Sequence, residues 1–527
     1  MSQMIYQPLL IEPAGVPRGR AMVERADWAA RAYATYDIDA VNRIAAAAAA
    51  ALASRAEEFA RDAVAETGFG VIEHKVVKNV ACSTGIIEHY RGQDFVSPVI
   101  DEANKIVSIP RPAGVILALT PSTNPVATVS FKILMALMTR SSIIISPHPM
   151  AKQVCVNAAK AMADAAVSAG APDGIIQIVE DPSIPLINAL MTDERTDVIV
   201  ATGGNPVVRS AYRSGNPAIG VGPGNVPVLV DATADIAKTS ARIIESKSFD
   251  NSILCTNESV VIAEESIADK LLAAFSRDGG YVLSDNERDA VRDTIFPDGQ
   301  FSTKMVGKDA TWIAEQAGIK VPAKTKVLIA PFDLAVPEEP LAHEKLCPVL
   351  GFIRVPTASR GIDIARAILR ITGSGHSAAI HSLDPELIMK FSSSVPVLRV
   401  SVNVGNSLGA SGFQTHLPPT MTIGTGFAGR SSVGENLQPK HLVHYTRLAY
   451  NSDVKEVMPS FAGLNPWSNP SGPVPAYPVA SNENSVEPVG ASEEAQKYRK
   501  LVSQEPAELR DEIRKLIVEE LHALMKN

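Results

Sequence analysis

Apolar positions along the chain change their spacing more than once. From about residue 20 to 93 they recur at helical intervals through alanine-rich, mixed-charge stretches such as VNRIAAAAAAALASRAEEFARDAVAETGFG, whose closing glycines stop a helix. Packing helices are the expectation there. The texture then turns to short β-branched runs, GVILALT (114–120), SSIIIS (141–146), GIIQIVE (174–180) and DVIVAT (197–202), each reading as a buried strand. Between them PVATVSFKILMALMTR, PMAKQVCVNAAKAMADAAVSAG and PSIPLINALMTDE keep helical spacing. Strand and helix alternating in this way predict a parallel sheet covered by helices on both faces. A second series, from VPVLVD (226–231) through ESVVIA, KVLIAP, VLGFIRV and SAAIHS to VLRVSVNV (397–404), predicts a second α/β domain.

After Met458 the sequence becomes dense in Pro, Ser, Asn and Gly, with too little apolar periodicity for a packed element, and 459–491 reads as a linker. Within 492–527, Leu509, Ile513, Leu516, Ile517, Leu521 and Leu524 fall on one stripe with charged residues opposite, the pattern of an amphipathic helix.

Composition narrows the class. A chain of 527 residues exceeds one ordinary hydrophobic core, so two or three domains are expected. The longest apolar run, Ile44–Ala53, falls well short of the roughly 20 residues that cross a bilayer, and no membrane span is expected. The first residues lack the basic start, apolar stretch and cleavage site of a secretory signal, which points to a cytoplasmic protein. A formal net charge of -8 without a broad basic patch argues against nucleic acid as a partner. Cys82, Cys155, Cys255 and Cys347 lie far apart with no CxxC pair, so neither a disulfide framework nor a metal site is expected.

Two short patterns carry little weight. GTGFAG (424–429) fits GxGxxG but is followed by no helix, and GNSLG (405–409) fits GxSxG with no helix after it to form a nucleophile elbow. Among the cysteines, Cys82 and Cys155 fall in helical stretches and read as core residues, as does Cys347 before a proline. Cys255 differs, because Asn251, Ser252, Thr256 and Asn257 surround it with polar groups that a packing cysteine does not need.

Six segments in one order decide between packing and chemistry: LTPSTNPVATVSFK (119–132), SPHPMAK (146–152), ATGGNPVVRSA (201–211), VGPGNVPVLVD (221–231), FDNSILCTNES (249–259) and HEKLCPVLGF (343–352). Through them the chain, from roughly residue 20 to 455, resembles the aldehyde dehydrogenase superfamily, and within it the CoA-acylating branch that oxidises small aldehydes inside bacterial microcompartments. The resemblance implies an aldehyde dehydrogenase-like α/β fold with two parallel-sheet domains and an oligomerisation arm. Its divisions are 1–225 (N-terminal helices and dinucleotide-binding domain), 226–425 (thioester-forming domain), 426–458 (C-terminal return and oligomerisation segment), the linker and the terminal helix. It implies Cys255 as nucleophile and Asn124 as the amide that, with the Cys255 N–H, holds the oxyanion. For the cofactor, NAD or NADP, it implies Thr120, Pro121, Ser146, Pro147, His148, Pro149, Thr202, Gly203, Gly204, Gly222 and Glu344.

Hydrolytic members carry a water-activating glutamate in an E-L-G-G-K stretch; here the stretch reads VGPGN, with Val221 at the glutamate position. Without that base water is a poor nucleophile, whereas a thiol is intrinsically a good one, so the acyl group is expected to leave to coenzyme A. His376, in GSGHSAAIHS, fits either the active-site mouth or a loop histidine bonded to backbone, and is not placed among the catalytic residues. The terminal helix resembles those that tether cargo to microcompartment shell proteins, and relatives imply a homodimer or homotetramer. The rival readings are a hydrolytic dehydrogenase and a non-catalytic scaffold acting through that helix.

Overall fold

The computed structural model describes residues 13–470 and 477; the expected terminal helix and the end of the linker lie outside the described residues. Five helices come first: α1 (Val16–Tyr33), α2 (Ile38–Ala53), α3 (Ala56–Thr67), α4 (Ile72–Ala81) and α5 (Thr84–His89). The alanine-rich stretch is two of them. Asp37 starts α2 by accepting from the Ala40 N–H, the chain breaks at Ser54–Arg55, and Gly68 closes α3 at φ 70°.

Next come β1 (Val99–Asp101), β2 (Ile106–Pro112), β3 (Val115–Leu119), α6 (Pro125–Met138), β4 (Ser142–Ser146), α7 (Lys152–Ser168), β5 (Ile176–Ile178), α8 (Ile184–Thr192), β6 (Val198–Thr202), α9 (Asn205–Arg213) and β7 (Ala218–Val221). Strands β3 to β7 form a parallel five-stranded sheet in the order β5-β4-β3-β6-β7. Its central strands β3 and β4 are buried at every residue, as suits the apolar VILAL of β3 and the three isoleucines between the terminal serines of β4. Helix α6 is buried along its whole length between this sheet and the N-terminal helices, which is why it lacks a polar face.

The second domain holds β8 (Val226–Val230), α10 (Ile236–Ser248), β9 (Glu258–Glu264), β10 (Gly280–Val282), β11 (Val327–Pro331), β12 (Val349–Val355), β13 (Ala378–His381) and β14 (Val400–Val402). They make a parallel seven-stranded sheet, β10-β11-β12-β9-β8-β13-β14. Each apolar run of the second series became one of these strands. A third, antiparallel sheet joins β1 and β2 to β15 (Val443–Ala449), so the arm is built from segments more than 330 residues apart.

The start of the expected linker is packed. Trp467 donates its indole N–H to the Val96 carbonyl at 2.7 Å, and the Arg140 guanidinium lies over its ring at 4.2 Å. Ser468 donates its N–H to the Thr35 carbonyl at 3.0 Å and Phe461 lies against Tyr450, so an amphipathic aromatic and two further contacts hold the segment where periodicity offers no signal. Among the described residues no helix is long and apolar enough to cross a membrane.

Candidate active site

In the five-stranded sheet the chain runs outward in one direction through β3, β4 and β5 and in the other through β6 and β7, which leaves a crevice at the C-terminal ends of β3 and β6 where the order reverses. A cleft of about 460 Å³ opens there. After β3, Thr120, Pro121 and Asn124 line it; after β6, Thr202, Gly203 and Gly204 do so, bringing the start of α9 and the positive end of its dipole to the cleft. Val221, Gly222, Cys255 and Glu344 complete the lining on the other side. Of the 146–149 stretch only His148 reaches the lining; Ser146 and Pro147 are buried behind it, where the Ser146 carbonyl accepts the Thr120 N–H at 3.1 Å, and Pro149 lies beyond it on the surface.

Cys255 reaches the cleft through a backbone that few sequences tolerate. Asp250, Asn251 and Ser252 have φ values of 48°, 52° and 64°, three consecutive left-handed residues without a glycine, at a cost on the order of 1–3 kcal/mol each. Side-chain contacts hold the turn: the Asp250 carboxylate accepts the Val71 N–H at 2.6 Å, Asn251 donates to the Gly307 carbonyl at 2.9 Å, and Ser252 donates to the Lys247 carbonyl. The loop then passes so close to Gly224 that a Cβ there would meet the Cys255 carbonyl oxygen at 2.0 Å, so this position requires glycine.

The cysteine has a partner that the sequence left open. His376 Nε2 lies 3.3 Å from Cys255 Sγ, and Nδ1 lies 3.0 Å from the Ser377 hydroxyl. Ser377 is fixed in turn by Asn406, whose amide donates to it at 3.0 Å and to the Thr256 carbonyl at 2.8 Å. His376 is fully buried, and burial together with the nearby Arg399 guanidinium pushes its pKa down to about 3, so the imidazole is neutral. With its proton on Nδ1, donated to Ser377, Nε2 faces the thiol as an acceptor. Burial and the Glu344 carboxyl push the Cys255 thiol up to about 12, so the resting sulfur is protonated. The sequence signal for His376 is its glycine frame: Gly373 and Gly375 both have positive φ, and a Cβ on Gly375 would strike the Thr425 carbonyl.

Asn124 precedes Pro125 at the start of α6 yet makes no cap bond to that helix. Its amide oxygen accepts from the Lys78 ammonium and its nitrogen lies 3.3 Å from the Thr123 hydroxyl. Glu344 accepts the Gly224 N–H at 3.2 Å, and burial pushes its carboxyl up to about 8. A carboxyl raised in the folded state stabilises the protein fully below its ordinary pKa and loses that contribution as pH rises through about 8. Glu344→Gln is therefore expected to raise the unfolding midpoint at pH 9 and leave it nearly unchanged at pH 4, as measured by thermal denaturation. Among the described residues no group of three or more His, Cys, Asp or Glu could hold a metal ion.

This geometry coincides with family membership. The chain matches the aldehyde dehydrogenase family over residues 13–417 and belongs to it. It is 41% identical over 427 residues to an aldehyde-alcohol dehydrogenase of Clostridium acetobutylicum, covering 80% of this chain and 49% of that one, so the chain spans about half the length of this relative. It is 38% identical over 445 residues to the succinate-semialdehyde dehydrogenase (acetylating) of Clostridium kluyveri, covering 84% of this chain and 97% of that one. Among solved structures, an acetylating aldehyde dehydrogenase from Geobacillus thermoglucosidasius superposes with a TM-score of 0.82 at 36% identity, over 85% of this chain and 98% of its own. A propionaldehyde dehydrogenase from Rhodopseudomonas palustris with bound CoA and an acylated cysteine superposes at 0.74 with 29% identity, over 82% and 97%. A propionaldehyde dehydrogenase from the fucose utilisation microcompartment of Clostridium phytofermentans does so at 0.75 with 27% identity, over 82% and 97%.

Proposed function

We propose that this protein oxidises a short aldehyde to an acyl-CoA with NAD, through a thioester on Cys255. The observation that carries the reading is the cysteine's company: a neutral imidazole 3.3 Å from the sulfur, and Glu344 as the one carboxyl among the described residues lining the cleft.

The roles follow from the geometry. His376 Nε2 takes the thiol proton as Sγ bonds to the carbonyl carbon, and the Asn124 amide and the Cys255 N–H receive the negative charge on the oxygen, each such donor being worth about 3–4 kcal/mol. A nicotinamide dinucleotide, when bound, would supply the hydride acceptor, and the loop after β3, His148, the Thr202–Gly204 turn and Glu344 would hold it. Loss of hydride from the carbon leaves the Cys255 thioester. His376 releases its first proton to solvent, then accepts the proton of the CoA thiol as the CoA sulfur displaces Cys255, and passes it to the departing Cys255 thiolate. Val221 stands at the family's glutamate position and the Glu344 carboxyl is largely protonated at neutral pH, so neither supplies a carboxylate to activate water, and the neutral His376 imidazole serves the far more acidic thiol. The acetylating relatives and the CoA-bound structure support the same acceptor. The direct check is NADH formation at 340 nm, the usual absorbance assay for this chemistry, from an aldehyde panel with and without CoA. Sustained turnover only with CoA supports acyl transfer, and CoA-independent release of free acid would make the protein hydrolytic.

Among the described residues lining the cleft none is Lys or Arg. A buried carboxylate or sulfonate on the substrate would go unpaired, at a cost of at least about 1.4 kcal/mol or tenfold. Propionaldehyde is expected to exceed succinate semialdehyde in kcat/KM by tenfold or more; equal values would place a cation in the path of the substrate tail.

The arm of β1, β2 and β15 suits assembly into a homodimer or homotetramer. The likeness to a microcompartment enzyme and the amphipathic stripe in the sequence of 492–527 support work inside a bacterial microcompartment, with the 492–527 segment bound to a shell protein. Deleting 492–527 is expected to leave turnover unchanged and to abolish co-sedimentation with shells.

A further inference from the structure

Behind the cleft wall lies a buried ion cluster that no step above uses. Lys75 and Lys78, three residues apart on α4, both reach the Asp250 carboxylate, Lys75 at 3.2 Å. Lys75 is 3% exposed, Lys78 2% and Asp250 0%. The same helix supplies His74, whose Nδ1 accepts the Asp250 N–H at 2.8 Å. One turn of helix therefore grips both the backbone and the side chain of the first left-handed residue before Cys255. Burial alone would raise the Asp250 carboxyl, but Lys78 and Lys75 outweigh it and hold it below its ordinary range.

Two ammonium groups around one carboxylate leave a positive charge in excess, which a dry site tolerates only where further acceptors meet it. The acceptor is Asn124 Oδ1. An ammonium has donors only, so the Asn124 atom that it touches is the oxygen and the amide nitrogen must point the other way. This contact also explains why Asn124, placed to cap α6, forms no cap bond.

We propose that Lys78 and Asp250 are positioning residues of the oxyanion site, with Asp250 pinning the turn that carries Cys255 and Lys78 fixing Asn124 with its N–H toward the substrate oxygen. The inference rests on the thioester reading above. One ion pair then sets both members of the oxyanion site, the Asn124 amide and the Cys255 N–H, at a fixed separation before substrate arrives. The excess positive charge lies behind the amide, where it strengthens the N–H as a donor.

The test is a double-mutant cycle with two readouts that require no oxyanion. Lys78→Met is expected to lower kcat about a hundredfold, the usual loss for one oxyanion donor, with the aldehyde KM changed less than about threefold. In an Asn124→Ala background the same change should cost less than about threefold, since the amide it positions is gone. Full multiplication of the two losses would overturn the proposal. Alkylation of Cys255 by iodoacetamide should stay within about threefold of wild type in Lys78→Met; a loss parallel to turnover would show that Lys78 acts on the cysteine and not on the amide. Asn124→Asp keeps an oxygen against Lys78 and removes the donor, so it should raise the unfolding midpoint while turnover is lost. A lowered midpoint would remove the Lys78 contact from the account, even if Lys78→Met fails to fold. A wild-type enzyme inactive toward every aldehyde would refute the function, while alkylation and unfolding would still judge the cluster.

Discussion

Cys255→Ala is expected to abolish aldehyde-dependent NADH formation, by a factor on the order of 10⁶ as for other removed nucleophiles. The loss should lie in the chemical step. The crevice proposed for the dinucleotide is lined by the segments at the ends of β3 and β6, and the Cys255 loop is held by Asp250, Asn251 and the close approach to Gly224 and not by the sulfur. NADH binding, followed by fluorescence, should therefore survive in the variant while the pre-steady-state burst vanishes. A residual burst would place the acyl group on another side chain. The other three cysteines offer no substitute, since Cys82, Cys155 and Cys347 are buried and none of them lines the cleft.

His376→Ala is the second large effect, a loss of kcat of about 10²–10⁴, the range for a positioned general base. Its sign with pH follows from the two groups. His376 is charged only below about pH 3, so its imidazole is unprotonated across the neutral range and should add no acidic limb to the wild-type profile above pH 5. The Cys255 thiol keeps its proton until about pH 12, so alkylation of the free enzyme should rise about tenfold per unit from pH 7 to 10. In His376→Ala turnover should rise with pH in the same way, as solvent base replaces the imidazole. A wild-type alkylation rate that levels off near pH 7 would instead show a thiolate–imidazolium pair in the resting enzyme. His376→Gln should not restore the rate, because the amide can bond Ser377 but cannot take the thiol proton.

The buried strands were legible because their signal is local: SIIIS and VILAL bury every side chain and contain nothing else. The arm was not. Strand β2 carries two prolines, and its partner β15 shows a largely exposed face, so neither run displays a strand's apolar identity. Strand β7, four residues with a glycine, was also too short to stand out. In the site, the sequence pointed to Cys255, Asn124, Glu344 and the segments expected at the cofactor, which the fold brings to one cleft except for Ser146, Pro147 and Pro149. It could not rank His376, because that contact spans 121 residues and a histidine between glycines suits many loops. Lys75 and Lys78 lie in the mixed-charge helical region, where nothing in the sequence singles them out, and only the docking of α4 against the left-handed turn shows that they are buried. Trp467 was hidden by the prolines around it.

The central claim is that Cys255 carries an acyl group which a thiol removes and water does not. Intact-protein mass spectrometry tests it most directly: the enzyme is mixed with propionaldehyde and NAD without CoA, sampled over minutes, then given CoA. A propionyl adduct is expected that persists, maps to Cys255 and disappears on addition of CoA with formation of propionyl-CoA. An adduct that decays to propionate at the same rate with or without CoA would contradict it and show that water is activated within the cleft.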